Sequence, residues 1–196
     1  AEHIIEVANK VGVECYQGSV FDELDRFYQA AKPENPDYIV RITSDCPLID
    51  PVIIDKVIDA CTESGCDYAS NALTPTYPDG IDVEIFKFSA LEKAWNEATL
   101  TSDHEHVTPY IWRNSTEKGG CLFKSVNVSN DTDWSGERIT VDTQDDFLVV
   151  RNLIEQVGID NSCKDYVAYL ETHPEIRAIN QHYSRNEGYA KSLLND

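Results

Sequence analysis

V-R-I-T-S-D-C-P-L-I-D-P, residues 40–51, is the stretch that decides how this chain folds. The β-branched and apolar residues of Tyr38–Thr43 predict a strand, and the strand leads into a carboxylate, Asp45. A tight loop follows. Asp50-Pro51 then reads as a helix start, because Asp caps free N–H groups and Pro suits the first helical position, where its missing N–H costs nothing. In open α/β sheets ligands bind beyond the carboxyl ends of the strands, so Asp45 sits where a metal or a phosphate would arrive. The same residues also suit a plain strand–loop–helix with two capping carboxylates.

A second segment repeats the pattern. In R-I-T-V-D-T-Q-D-D, residues 138–146, a short strand at Ile139–Val141 runs into Asp142 and a helix follows from Gln144. Equivalent positions put Asp45 and Asp142 at the same rim of one sheet. Two such carboxylates could share Mg²⁺, a hard cation that takes oxygen ligands and keeps waters and substrate phosphates. Asp142 could equally serve as a helix cap.

Around these segments strands and helices alternate. Helical spacing predicts helices over 2–10, 19–31 (capped by Ser19, with Phe21, Leu24, Phe27, Tyr28 and Ala31 inward), 51–64, 89–98, 104–114, 144–157 and 164–172. In the helix 144–157 the inward positions are Phe147, Val150, Leu153, Ile154 and Val157. Strands are predicted at 13–16, 38–43, 68–70, 81–87, 122–128 and 139–141. The alternation points to an α/β fold with a mostly parallel sheet covered on both faces. The two-proline loop 71–80 and the strand after it break the alternation and predict a mixed-sheet insertion. The expected division is one domain over 1–175 and a polar C-terminal tail over 176–196.

The 196 residues carry a formal charge of −19, which repels nucleic acid and disfavours anionic membranes. An anionic small molecule would need a local cationic site or a bound metal. No apolar run suits a membrane span. The six cysteines form no zinc-ligand spacing and predict free thiols in a reducing compartment. His104 and His106 lack the spacing of a helical zinc pair. The start lacks the regions of a signal peptide, so a cytoplasmic protein is expected.

Six pieces together carry a resemblance: R-I-T-S-D-C-P-L-I-D-P (41–51), D-Y-A-S-N (67–71), T-Y-P-D-G-I-D-V-E-I-F (76–86), E-H-V-T-P-Y-I (105–111), R-I-T-V-D-T-Q-D-D (138–146) and N-E-G-Y-A-K-S-L (186–193). The chain resembles the SpsF-type cytidylyltransferases of spore-coat polysaccharide synthesis, relatives of the acylneuraminate and 3-deoxy-manno-octulosonate enzymes. That resemblance implies a Rossmann-like nucleotidyltransferase fold, a three-layer sandwich with a mixed sheet. It implies Mg²⁺-dependent transfer of CMP from CTP to an acidic or other sugar. Asp45 and Asp142 would be the catalytic metal ligands. Asp79, Asp82 and Glu84 would accept hydrogen bonds from the sugar, with Gly80 allowing close backbone approach. His106 and Thr108 would lie near the acceptor, Arg41 and Arg138 near phosphate, and Asn71 would bind substrate. Each arginine could instead pair with a neighbouring carboxylate.

The family's opening strand, basic triphosphate loop and helix have no counterpart in this sequence, which also contains no Met. A shortened chain is therefore expected, with an incomplete sheet and a homodimer or other homo-oligomer. The competing reading is a non-catalytic sugar- or nucleotide-binding module of the same fold.

Overall fold

The computed structural model describes residues 2–196. In chain order the elements are α1 (Glu2–Val11), α2 (Glu23–Ala31), β1 (Tyr38–Arg41), α3 (Pro51–Ser64), β2 (Tyr68–Ser70), β3 (Glu84–Lys87) and α4 (Phe88–Glu97). Then come α5 (Thr101–His106), α6 (Pro109–Arg113), β4 (Ser125–Asn127), α7 (Gln144–Gln156), α8 (Cys163–Thr172), α9 (Pro174–Arg177) and α10 (Glu187–Ser192).

The four strands form one sheet in the order β1-β3-β2-β4. β3 runs antiparallel to both neighbours and β2 runs parallel to β4. Three strands thus point one way and β3 is reversed, which makes the sheet mixed with mostly parallel strand directions. Apolar residues cover both faces. On one, Leu24 and Tyr28 of α2, Leu91 of α4 and Ile111 of α6 pack on Tyr68 and Phe86. On the other, Val57 and Cys61 of α3 pack on Ala69 and Ile85. Burying each Leu or Ile side chain contributes roughly 1.5–3 kcal/mol. The result is the three-layer α/β arrangement. A third cluster beyond the sheet joins Leu48, Ile81 and Ile139 to Leu153 of α7 and Leu170 of α8.

α3 starts as its sequence dictates. One Asp50 oxygen accepts the Val52 N–H at 2.9 Å, Pro51 is the first helical residue, and Gly65 ends the helix at φ 62°. The other Asp50 oxygen accepts the Cys163 N–H at 2.9 Å, so one carboxylate starts both α3 and α8.

Several sequence-based expectations are corrected. Residues 13–16 form no strand; Val13 and Tyr16 are exposed and pair with no neighbouring strand. The α2 cap is Asp22, whose side chain accepts the Asp25 N–H, and not Ser19, so Phe21 falls outside the helix and is 93% exposed. Residues 139–141 form no strand either: an isolated parallel bridge between Asp79 and Arg138 replaces a ladder. The expected helix 104–114 is two short helices, broken at Val107. In α7 the buried positions are Asp146, Val149, Val150 and Leu153, and Phe147 is exposed, because the Thr143–Asp146 capping box turns Asp146 inward.

Candidate active site

A cleft of about 1060 Å³ opens beyond the ends of β1 and β3. That is room for a nucleotide together with a small second substrate. Its walls come from the Asp45 loop, the loop before β3, the α5–α6 break, the Arg138–Thr143 segment and the C-terminal tail.

Asp45 and Asp142 both line this cleft. The Asp45 carbonyl accepts the Val141 N–H at 2.8 Å and the Thr140 hydroxyl at 3.1 Å, so the two loops are stitched together one residue before Asp142. Among the described residues the Asp45 carboxylate meets only the weak thiol donor of Cys46, at 3.4 Å. Burial pushes that thiol up to about 12, so it stays protonated. Asp142 gives one oxygen to Arg138 at 2.7 Å, and its side chain is 52% exposed.

Arg138 organises this side of the cleft. Its guanidinium meets Asp146 through two bonds of 2.8 Å, Asp79 at 2.6 Å and Asp142 at 2.7 Å. Asn180, from the tail, donates to Asp146 at 2.9 Å and to the Arg138 carbonyl at 3.1 Å. Burial opposes the charge on Asp146, but Arg138, Asn180 and the Asp142 N–H outweigh it and hold the carboxyl at about 2. Arg138 therefore takes the commoner fate, pairing with carboxylates.

Arg41 behaves likewise on the opposite wall, donating to Glu84 at 2.7 Å. The other Glu84 oxygen accepts from Tyr68 at 2.6 Å and from Thr108 at 2.7 Å. Thr108 reaches Glu84 because of the helix break. Val107 is buried at φ 70° and ψ −56°, and the Thr108 N–H donates to the His106 carbonyl at 2.8 Å. That is a γ-turn at positive φ, strained by about 1–3 kcal/mol for a β-branched residue. The turn sends His106 and Thr108 into the cleft. The His106 Nε2 bonds the Ser192 hydroxyl at 2.9 Å, and burial lowers the imidazole's pKa.

Asp79 and Asp82 line the wall between these networks. Burial raises Asp79 despite Arg185 and Arg138, and it pushes Asp82 up to about 6 despite an ion pair with Arg185. Two expected site residues do structural work. Asn71 is buried, donating to the Ile81 carbonyl at 2.7 Å and accepting the Val83 N–H at 2.9 Å. Gly80, at φ 107°, lets the chain pass against Thr140, whose backbone nitrogen would lie 2.5 Å from an added Cβ. The close approach it permits is thus to the protein's own backbone.

The residues missed in the sequence are Tyr68, Asp146, Asn180 and Arg185. The Arg138-Asp142-Asp146 spacing of four was a visible signal for Asp146. Nothing local marks Asn180 or Arg185, whose partners lie on the order of 40 to 100 residues away. No group of three His, Cys, Asp or Glu side chains poised for a metal occurs among the described residues.

A family model described as cytidylyltransferase matches residues 1–187. A solved cytidylyltransferase from Leptospira borgpetersenii serovar Hardjo-bovis superposes with a TM-score of 0.83 at 34% identity, covering 93% of this chain and 75% of that one. An uncharacterized protein of Methanocaldococcus jannaschii is 37% identical over 180 residues, 90% of this chain and 71% of its own length. The spore coat polysaccharide biosynthesis protein SpsF of Bacillus subtilis is 25% identical over 174 residues, 85% of this chain and 68% of its own. The fold is that of a nucleotidyltransferase. The chain belongs to the cytidylyltransferase family, which supports a nucleotidyl transfer function. No helix among the described residues is long and apolar enough to cross a membrane.

Proposed function

We propose that this chain moves CMP from CTP to a sugar hydroxyl with release of pyrophosphate, in the synthesis of a surface polysaccharide. The observation that carries the reading is the meeting of Asp45 and Asp142 on one cleft, tied through the Asp45 carbonyl and the Val141 N–H. The donor set suits Mg²⁺: two hard carboxylates from the protein, with triphosphate and water oxygens left to complete the shell. Bound there, Mg²⁺ would neutralise the triphosphate next to an acidic wall. The protein's own share is positioning. Arg138 fixes Asp142, the Thr140 and Val141 contacts fix the Asp45 loop, and the cleft holds both substrates in line. The polysaccharide role follows that of the Bacillus subtilis spore coat polysaccharide relative. The acceptor belongs beside Asp79 and Asp82, which have oxygens to spare for hydroxyls. A dimer through the edge strand β1, where Val40 and, just past the strand, Ile42 are exposed, completes the proposal and is checked by light scattering.

The test mixes the protein with CTP, Mg²⁺ and a panel of neutral, amino and acidic sugars and measures pyrophosphate. Release that depends on the sugar and on Mg²⁺ is the expected result. CTP binding with no pyrophosphate from any sugar would leave a nucleotide-binding module instead.

A further inference from the structure

Loop 76–84 holds one carboxylate whose surroundings differ from those of the others. Asp82 lies between the two backbone groups that Asn71 clamps, the Ile81 carbonyl at 2.7 Å and the Val83 N–H at 2.9 Å. Its backbone is thereby fixed from both sides. One oxygen, Oδ1, pairs with Arg185 of the tail, and Arg185 is anchored in turn on the Tyr77 carbonyl at 3.0 Å. The other, Oδ2, accepts no hydrogen bond from the described residues, although Asp82 lines the cleft.

Of the other candidates on the wall, Glu84 and His106 are spent, and Asp79 keeps Oδ1 for the acceptor but is held by its other oxygen in the Arg138 cluster. Glu84 has both oxygens engaged, by Arg41 on one side and by Tyr68 and Thr108 on the other. Asp79 is one of three carboxylates that share Arg138. His106 bonds Ser192, and the charges acting on it are Glu105, Arg41, Glu23 and Glu84. Asp82 lines the same cleft as Asp45 and Asp142.

We propose that Asp82 is the general base of the transfer, its free Oδ2 taking the proton of the sugar hydroxyl that attacks. The inference rests on the transfer reading above. In the step, the hydroxyl O–H bond breaks and its proton passes to Asp82. The freed oxygen forms a bond to the α-phosphorus of CTP. The bond from the α-phosphorus to the bridging oxygen breaks, and pyrophosphate leaves with the electron pair. Asp82 returns the proton to water once product departs.

A base works best with a pKa near the operating pH, and Asp82 meets that condition at about 6. Burial raises it, Arg185 lowers it, and the like charges of Asp79 and Glu84 raise it again. The charge of Asp82 also acts on the Cys46 thiol, which burial keeps protonated. Asp82 must be ionised to accept a proton, so kcat/KM should climb as pH rises through its pKa.

The test compares wild type with Asp82→Asn, using CTP, Mg²⁺ and the sugar that gives pyrophosphate, from about pH 4.5 to 8. The amide keeps the oxygen that meets Arg185 but cannot take a proton. The expected result is a loss in kcat of about 100- to 1000-fold, an acceptor KM within about threefold, and disappearance of the acidic limb. An Asp82→Asn enzyme that keeps the acidic limb, or that loses only acceptor KM, overturns the role and leaves the transfer reading standing. A wild type that yields no pyrophosphate with any sugar overturns the transfer reading and this role with it. Carboxyl ¹³C NMR supplies a readout independent of turnover. The Asp82 signal should titrate near 6 in the free protein, and titration in the ordinary Asp range, about 3.9, overturns the proposal.

Discussion

The Asp45 loop hangs from a strand, whereas the Asp142 loop hangs from an arginine. β1 pairs with β3 residue for residue, from Tyr38 opposite Lys87 to Arg41 opposite Glu84, and a ladder of backbone bonds aims the loop that follows. Across the cleft, 139–141 has no ladder. The Arg138 guanidinium gathers Asp79, Asp142 and Asp146, and α7 takes its start from the same Asp146. Both routes bring a carboxylate to one rim. The first is made of neutral backbone groups and is insensitive to pH. The second is a charge cluster packed out of water, so it depends on every charge being present.

The largest break in this comparison is Arg138→Ala. It leaves the buried Asp146 without its main counter-charge, and urea unfolding should show a loss of about 3–5 kcal/mol. Arg41→Ala should cost less, because Glu84 keeps two hydroxyl donors. Next comes Asp45→Asn. It disturbs no ion pair, so the melting temperature should hold while Mg²⁺-dependent pyrophosphate release falls about 100-fold. A normal rate in that variant would remove Asp45 from the chemistry.

Acid sharpens the contrast. The Asp146 carboxyl is depressed in the folded chain, to about 2, so its stabilisation is complete above the unfolded value of about 3.9 and is lost as pH falls toward 2. Roughly 2 kcal/mol should disappear over that window, and Arg138→Ala should lose less of its stability there than wild type. The two helix starts give the smallest effects. Asp50→Ala strips a cap from α3 and a partner from the Cys163 N–H, at about 1–2 kcal/mol. Thr143→Ala removes half of the α7 capping box at about 1 kcal/mol, by thermal melting.

Legibility in the sequence follows range. α3 was readable to the residue because its cap, its first-turn proline and its C-terminal glycine all lie within the segment. Asp45 and Asp142 were legible as rim residues because each follows an apolar run and precedes a helix. The α5–α6 break was not legible: E-H-V-T-P suits a continuous helix up to the proline, and only packing holds Val107 at positive φ. Strand 139–141 failed for the opposite reason. Its residues suit a strand, but its neighbours meet it through Asp79 and Asp45 rather than through a ladder.

Local chemistry in the sequence set the helix starts and stops, the apolar faces of α2 and α3, and the placing of two acidic loops after apolar runs. These depend on contacts a few residues apart, which a short stretch of chain specifies by itself. The tertiary structure alone decided which carboxylates share Arg138, that the tail would supply Asn180 and Arg185, and that Asn71 and Gly80 brace the wall from within. Those outcomes turn on burial and on partners distant in sequence, and low-dielectric pairing is fixed only when the chain closes around it.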